Sequence, residues 1–307
     1  DLRHMAVPRV SVTERVQLLR TLLLRGRFSF DEAVRGADRQ TVAVTLFALL
    51  ELYKEGEVRW RQDKPFGEIT ISSTRVDEPR FDSEPVFASL LDAESGGRFS
   101  VSPPDATRGT QRYLENTNVL ETVFRGPEGA FRVLDFAPRF RQHDRMFCPT
   151  QLFRVIEPLE GAPLVQVRCD PVLGWSRRTP VQYSGSNHVR YEGYASQLRL
   201  TTDIPLSYLS GQTIALTEPK HLVLTWGQPI EEPLLPLCAR FLGETIRHWR
   251  LWVKHCEIPP LYQREVIRSA LALKLHCFED TGAIVAAMTT SIPETPGSGR
   301  NWDYRYC

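Results

Sequence analysis

Trp302, Asp303 and Arg305 stand close together near the end of the 307-residue chain, in the run Asn301-Trp302-Asp303-Tyr304-Arg305-Tyr306-Cys307. An indole face can stack on the apolar face of a sugar ring, while a carboxylate and a guanidinium bond to its hydroxyls. The three are the candidate substrate-binding set, and the ligand they suit is a carbohydrate. Glu279 and Glu294 are carboxylates in the same neighbourhood, but no spacing assigns either as an acid or a base, so no catalytic residue is nominated. Asp135 and Asp170 lie beside the ends of strand-like runs, where turn and strand-edge hydrogen bonding is the plainer role. His255-Cys256 and His276-Cys277 invite a zinc reading. Adjacent residues on a helix point to different faces, however, and no third or fourth ligand cluster follows, so neither a metal nor another cofactor is expected.

The elements around these residues fall into distinct stretches. Ser11 to Arg25 has apolar residues at helical spacing, and Ser11 with Glu14 forms the S-x-x-E signature of a capping box. Phe28 to Phe30 is a short extended piece, Asp31 to Arg35 suits a short helix closed by Gly36, and Asp38 to Glu55 is a longer helix with Asp38 as N-cap. Glu57 to Asp63 alternates as a strand does, Lys64 to Gly67 turns, and Glu68 to Ser72 returns. Helix, strand, helix, helix, hairpin is the order of a winged helix. The long helix is almost wholly apolar from Thr41 to Tyr53, with Arg39 and Lys54 only at its ends, so no specific DNA contact is expected. Its excess of apolar residues calls for a core on one side and a protein partner on another. Arg39, Lys54 and Trp60 are the candidate partner-binding residues.

Ser72 to Pro79 reads as a short polar linker. Residues 80–233 are rich in short strand-like runs between turn residues, for example 97–101, 118–124, 130–136, 151–156, 164–169, 194–200, 213–216 and 221–226. Their even spacing predicts an antiparallel β-sandwich. Leu237 to His255 is an amphipathic helix with Trp249 and Trp252 at i, i+3, and Gln263 to Cys277 is another.

Composition bounds the rest. The chain is 42% hydrophobic and 24% charged with a net charge of +1, so no global field recruits nucleic acid or an anionic membrane. No apolar run approaches the roughly 20 residues that span a bilayer. The six cysteines show no CxxC spacing and read as reduced thiols of a cytoplasmic protein.

Two resemblances refine this reading. Val12 to Arg15, Gly26 to Phe30, Thr41 to Leu52 and Pro65 to Ile69 together resemble the C-terminal winged-helix domain of segregation and condensation protein A, the bacterial kleisin. That resemblance implies docking on the ATPase head of an SMC protein. From Pro79 onward the text resembles the N-terminal part of bacterial glycoside hydrolases of the glucoamylase, glucodextranase and trehalase-like kind. Arg112 to Thr122, Val133 to Pro138 and the segment from Thr281 to Cys307 carry it. It implies an α-glucoside or trehalose-type substrate, hydrolysed with inversion by two glutamates on later helices of an α/α barrel. In that family an Arg-Asp pair follows the cysteine; none follows Cys307, so the resemblance implies that the catalytic glutamates lie beyond it and that the chain as given is inactive.

The expected fold class is an α+β composite: winged helix, then antiparallel β-sandwich, then the start of a truncated α/α barrel. Expected boundaries are 1–72 for the winged helix, 73–79 for the junction, 80–233 for the sandwich, 234–262 for a linker helix and 263–307 for the first barrel segment. The abrupt changes at these edges also raise a third reading, a reading frame that joins two unrelated remnants and has no single function.

Overall fold

A computed structural model describes residues 11–24, 28–54, 57–62, 64, 67–73, 83–105, 108–176, 178–194, 196–278, 281–287, 297 and 299. The chain divides into two units, Asp1–Glu78 and Pro79–Cys307.

In the first unit the caps set the helix starts. The Ser11 hydroxyl accepts from the Glu14 amide at 3.1 Å and the Glu14 carboxylate accepts from the Ser11 amide at 3.2 Å, which closes the capping box that opens α1 (Val12–Leu24). After β1 (Phe28–Ser29), the Ser29 hydroxyl accepts from the Glu32 amide, so α2 (Phe30–Ala33) begins one residue earlier than the sequence suggests. Asp38 caps α3 (Arg39–Lys54) through the Thr41 amide at 2.7 Å. β2 (Val58–Gln62) and β3 (Ile69–Ser73) pair antiparallel, and β1 adds to β3 to give the order β1-β3-β2. Leu19, Leu49, Leu52 and Ile71 are fully buried between α1, α3 and this sheet.

The second unit is strand-rich. Its strands are β4 (Arg98–Ser102), β5 (Thr110–Tyr113), β6 (Leu120–Gly126), β7 (Gly129–Phe136), β8 (Phe140–Gln142), β9 (Arg145–Phe147), β10 (Gln151–Gly161) and β11 (Leu164–Asp170). β12 (Val181–Ser184), β13 (His188–Glu192), β14 (Leu198–Thr202), β15 (Ser210–Ala215) and β16 (Lys220–Trp226) follow. Eight strands form one sheet in the order β12-β13-β14-β16-β10-β7-β6-β5, three form another in the order β15-β11-β4, and β8 pairs with β9. All the pairings are antiparallel.

Side-chain alternation along each strand sorts the wide sheet into two apolar faces. One face meets the three-stranded sheet: Phe131, Val133, Ile156, Leu198, Leu200 and Leu222 pack on Val165, Val167 and Cys169. Tyr191 is buried there and donates its hydroxyl to the Cys169 carbonyl at 3.1 Å. The other face carries Leu134, Phe136, Phe153, Val155 and Val223, covered by α4 (Leu234–Lys254) through Leu234, Leu237 and Cys238. Further along α4, Trp249 and Val253 bury against Leu271 of α5 (Gln263–His276). Fully burying side chains of this size contributes roughly 1.5–3 kcal/mol each, so these layers dominate the unit's stability.

The observed class is mixed α+β with strand-rich sheets, as the sequence led one to expect. One correction concerns extent. β5, β8, β9, β12 and β13 add to the runs given as examples, within the same strand-rich region, and the run from Tyr194 becomes a strand only at Leu198. Tyr194 instead donates its hydroxyl to the Val172 carbonyl at 2.9 Å. No helix among the described residues is long and apolar enough to cross a membrane.

Candidate functional site

β5 ends at Tyr113, and the chain turns tightly before β6. The Leu114 amide donates to the Val119 carbonyl at 2.9 Å, while the Thr117 hydroxyl donates to the Leu114 carbonyl at 2.8 Å and accepts from the Val119 amide at 3.1 Å. The turn requires a left-handed residue, and Asn116 supplies it with φ 57°. Thr117 and Val119 are fully buried, so the loop is pinned at its base.

Arg268 of α5 grips this loop. Its guanidinium lies 4.0 Å over the Tyr113 ring, donates through Nη1 to the Thr117 carbonyl at 2.8 Å and bonds through Nη2 to Asn118 Oδ1. Asn118 answers with a bond from Nδ2 to the Leu271 carbonyl at 3.1 Å. Burial holds Arg268 below the ordinary arginine pKa, and the nearby Tyr113 opposes that shift.

A groove of about 950 Å³ lies between loop and helix, lined by residues 112–116 and by Gln263, Arg264, Ile267, Arg268 and Leu271. Arg112, Arg264, Gln263 and Asn116 offer donors, while Leu114, Ile267 and Leu271 offer apolar surface. This mixture suits a polyhydroxylated ligand. Among the described residues Glu115 is the one carboxylate in the lining, whereas glycoside hydrolysis by inversion needs an acid and a base on opposite sides of the bond. The described part of the groove offers groups that can bind and orient a ligand.

Trp302, Asp303 and Arg305 lie outside the described residues, as do Glu279 and Glu294. In the first unit, Arg39 opens α3 and Lys54 closes it, both exposed, so the helix holds them roughly 22 Å apart at 1.5 Å per residue. Trp60 is half-buried, with its ring 4.3 Å from that of Tyr53, and packs at the edge of the core. The structure thus places Arg39 and Lys54 at opposite ends of α3 and Trp60 beside Tyr53. Asp135 is paired with Arg154. His255 and His276 each place Nδ1 on the carbonyl four residues back in their own helix, at 2.7 and 2.8 Å.

The groove residues were missed from sequence. Their signal was present but weak: Arg264 and Arg268 share one face of a helix at i, i+4, and Asn116 and Asn118 bracket a threonine in a turn.

With this geometry in view, residues 72–192 match the family described as trehalase-like, N-terminal, so this stretch carries a trehalase-like N-terminal domain. Similar proteins agree. The chain is 29% identical over 237 residues to a trehalase of Thermoplasma acidophilum, covering 74% of this chain and 40% of that protein. It is 31% identical over 259 residues to a trehalase of Mycolicibacterium smegmatis, covering 74% and 38%. A protein named trehalase 2 of Sulfolobus acidocaldarius is 24% identical over 265 residues, covering 83% and 41%. The chain thus spans about two fifths of the length of these relatives. No solved structure matched significantly. The comparisons lend no support to the kleisin resemblance of residues 10–72.

Proposed function

We propose that the second unit is the N-terminal part of a trehalase-like glycoside hydrolase, and that it positions substrate-binding elements rather than performing bond cleavage. The observation that carries this reading is the trehalase-like N-terminal match over residues 72–192. The grip of Arg268 on the loop at residues 113–118 adds to it, because it ties the sandwich to α5, the helix that the resemblance makes the first of a barrel. In a complete enzyme the substrate would be a trehalose-type α-glucoside, hydrolysed with inversion. The 307-residue chain, incubated with trehalose, should release no glucose above a boiled control. Glucose release by the chain above that control would overturn this reading.

The first unit supports a separate reading as a winged-helix interaction module. The order of its elements and the exposed side of α3 favour it: Leu46, Phe47, Leu50 and Tyr53 face solvent, with Phe47 66% exposed. Following the kleisin resemblance, its partner would be an SMC ATPase head. A pull-down of a purified head by the chain, abolished by F47D, supports the module; no retention of the head at micromolar concentrations removes it.

A further inference from the structure

Across the wide sheet runs a row of side chains that the trehalase-like reading does not use. In register they are Tyr183 on β12, Arg190 on β13, Arg199 on β14, Thr225 on β16 and Gln151 on β10. They share a face with Val223 and Phe153, which α4 covers further along the strands. Directly opposed residues in an antiparallel pair hold their Cβ atoms about 4.5–5.5 Å apart, so Arg190 and Arg199 stand side by side, an arrangement that costs stability. Neither has an acidic partner among the described residues. Arg190 lies 5.5 Å over the Tyr183 ring, and Glu192, two residues further along β13 on the same face, forms no ion pair with either. In the next row His188 opposes Thr201, and burial together with Arg199 and Arg190 holds its pKa down.

Polar groups on this face are unsatisfied as well. Thr201 is 2% exposed and Thr225 1%, yet among the described residues neither hydroxyl has a hydrogen-bond partner. Gln151 Oε1 is likewise buried and unpaired. Buried polar groups are normally paired, and an unpaired one calls for a reason, a bound ion among them. Two guanidiniums and two hydroxyls are all able to donate. What the cluster lacks is a negatively charged acceptor, and the remaining need, a donor for Gln151 Oε1, is met by a hydroxyl on the same ligand.

We propose that Arg190, Arg199, Thr201, Thr225 and Gln151 form a binding site for a small oxyanion that also carries a hydroxyl, of the hydrogen-phosphate or hydroxycarboxylate kind. Charge-assisted bonds from two adjacent guanidiniums give such a group its affinity, and the threonine hydroxyls set its depth in the sheet.

The test uses the full chain and reads thermal melting and titration calorimetry with inorganic phosphate and with lactate, ionic strength held constant with chloride. One-to-one binding of phosphate or lactate is expected, with a melting temperature that climbs with its concentration by mass action. Which of the two binds more tightly identifies the acid group. R199Q and R190Q should each weaken binding by at least about tenfold, the loss expected for a charge-assisted bond. Ligand-free R199Q should melt no lower than the parent, because it relieves the contact between like charges. T225V should also weaken binding while leaving ligand-free melting unchanged, which keeps the test open if an arginine variant folds poorly. An equal response to chloride, or an R199Q and T225V pair that respond to phosphate and lactate as the parent does, would overturn the site.

Discussion

Arg154 and Asp135 face each other across β10 and β7 and close a bidentate pair, Nε to Oδ1 at 2.8 Å and Nη2 to Oδ2 at 3.1 Å. The same guanidinium donates through Nη1 to the Phe99 carbonyl at 2.5 Å and lies 4.7 Å over the Phe99 ring. Phe99 belongs to β4, so one side chain links the eight-stranded sheet to the three-stranded one. Asp135 is thereby a structural acid; its neighbour, not a substrate, takes its charge.

That link predicts an asymmetry between single and double replacements. The two side chains are 17% and 16% exposed, so removing one partner leaves the other charged and mostly buried. R154A should lose about 3 kcal/mol of stability, while R154M combined with D135N should lose less. Urea denaturation of the three proteins measures both. A double variant as unstable as R154A would mean that the bond to Phe99 and the packing on its ring, rather than the ion pair, dominate.

The grip of α5 on the sandwich predicts a local effect. N118A removes the bond to the Leu271 carbonyl and leaves Arg268 one acceptor short, a loss of about 1–3 kcal/mol. Hydrogen exchange should quicken across Gln263–His276 and stay slow in β7 and β10. R268K should behave like N118A, since a lysine cannot make the fork that serves Thr117 and Asn118 together. Uniformly faster exchange in both regions would show a global role instead.

Local signals were legible in the sequence and long-range ones were not. The Ser11–Glu14 capping box and the Asp38 cap involve residues three apart, so type and spacing suffice to read them. β11 was read because its apolar residues alternate and its burial alternates with them. β12 escaped because all four of its residues are exposed: it is an edge strand, held by backbone pairing to β13 and leaving little mark on composition. The groove escaped for another reason. Arg268 and Asn118 are 150 positions apart, and nothing in either neighbourhood names the other.

The cysteines predict a reactivity order. Burial pushes the thiols of Cys169 and Cys238 up to about 12, with Asp203 adding to the shift at Cys238. The thiolate is the reactive form, so at pH 8 almost none of these groups is competent. Cys148 is exposed. Iodoacetamide followed by peptide mapping should modify Cys148 within minutes and reach Cys169 and Cys238 only in denaturant. Native-state labelling of Cys169 would contradict the packing of β11 against the wide sheet.

Glu121 predicts a dependence on pH. Its side chain is 3% exposed, and it accepts from Arg112 Nε at 2.5 Å and from Arg132 Nη1 at 3.2 Å. Burial alone would raise its pKa, but bonds to the two arginines and their charges outweigh it and hold the carboxyl below the usual glutamate range. The unfolded chain then binds a proton that the folded chain refuses. The stabilisation is therefore complete above the ordinary glutamate pKa and is lost as pH falls through the lowered folded value. E121Q keeps the shape of the side chain but not its charge. It should cost about 1–3 kcal/mol at neutral pH by taking the carboxylate from Arg112 and one of the two from Arg132, which keeps its pair with Glu157, and the deficit should shrink as the solution is acidified. Denaturation of parent and variant at several pH values between neutrality and the acid limit measures the gap. A constant gap across that range would assign Glu121 a role in packing alone.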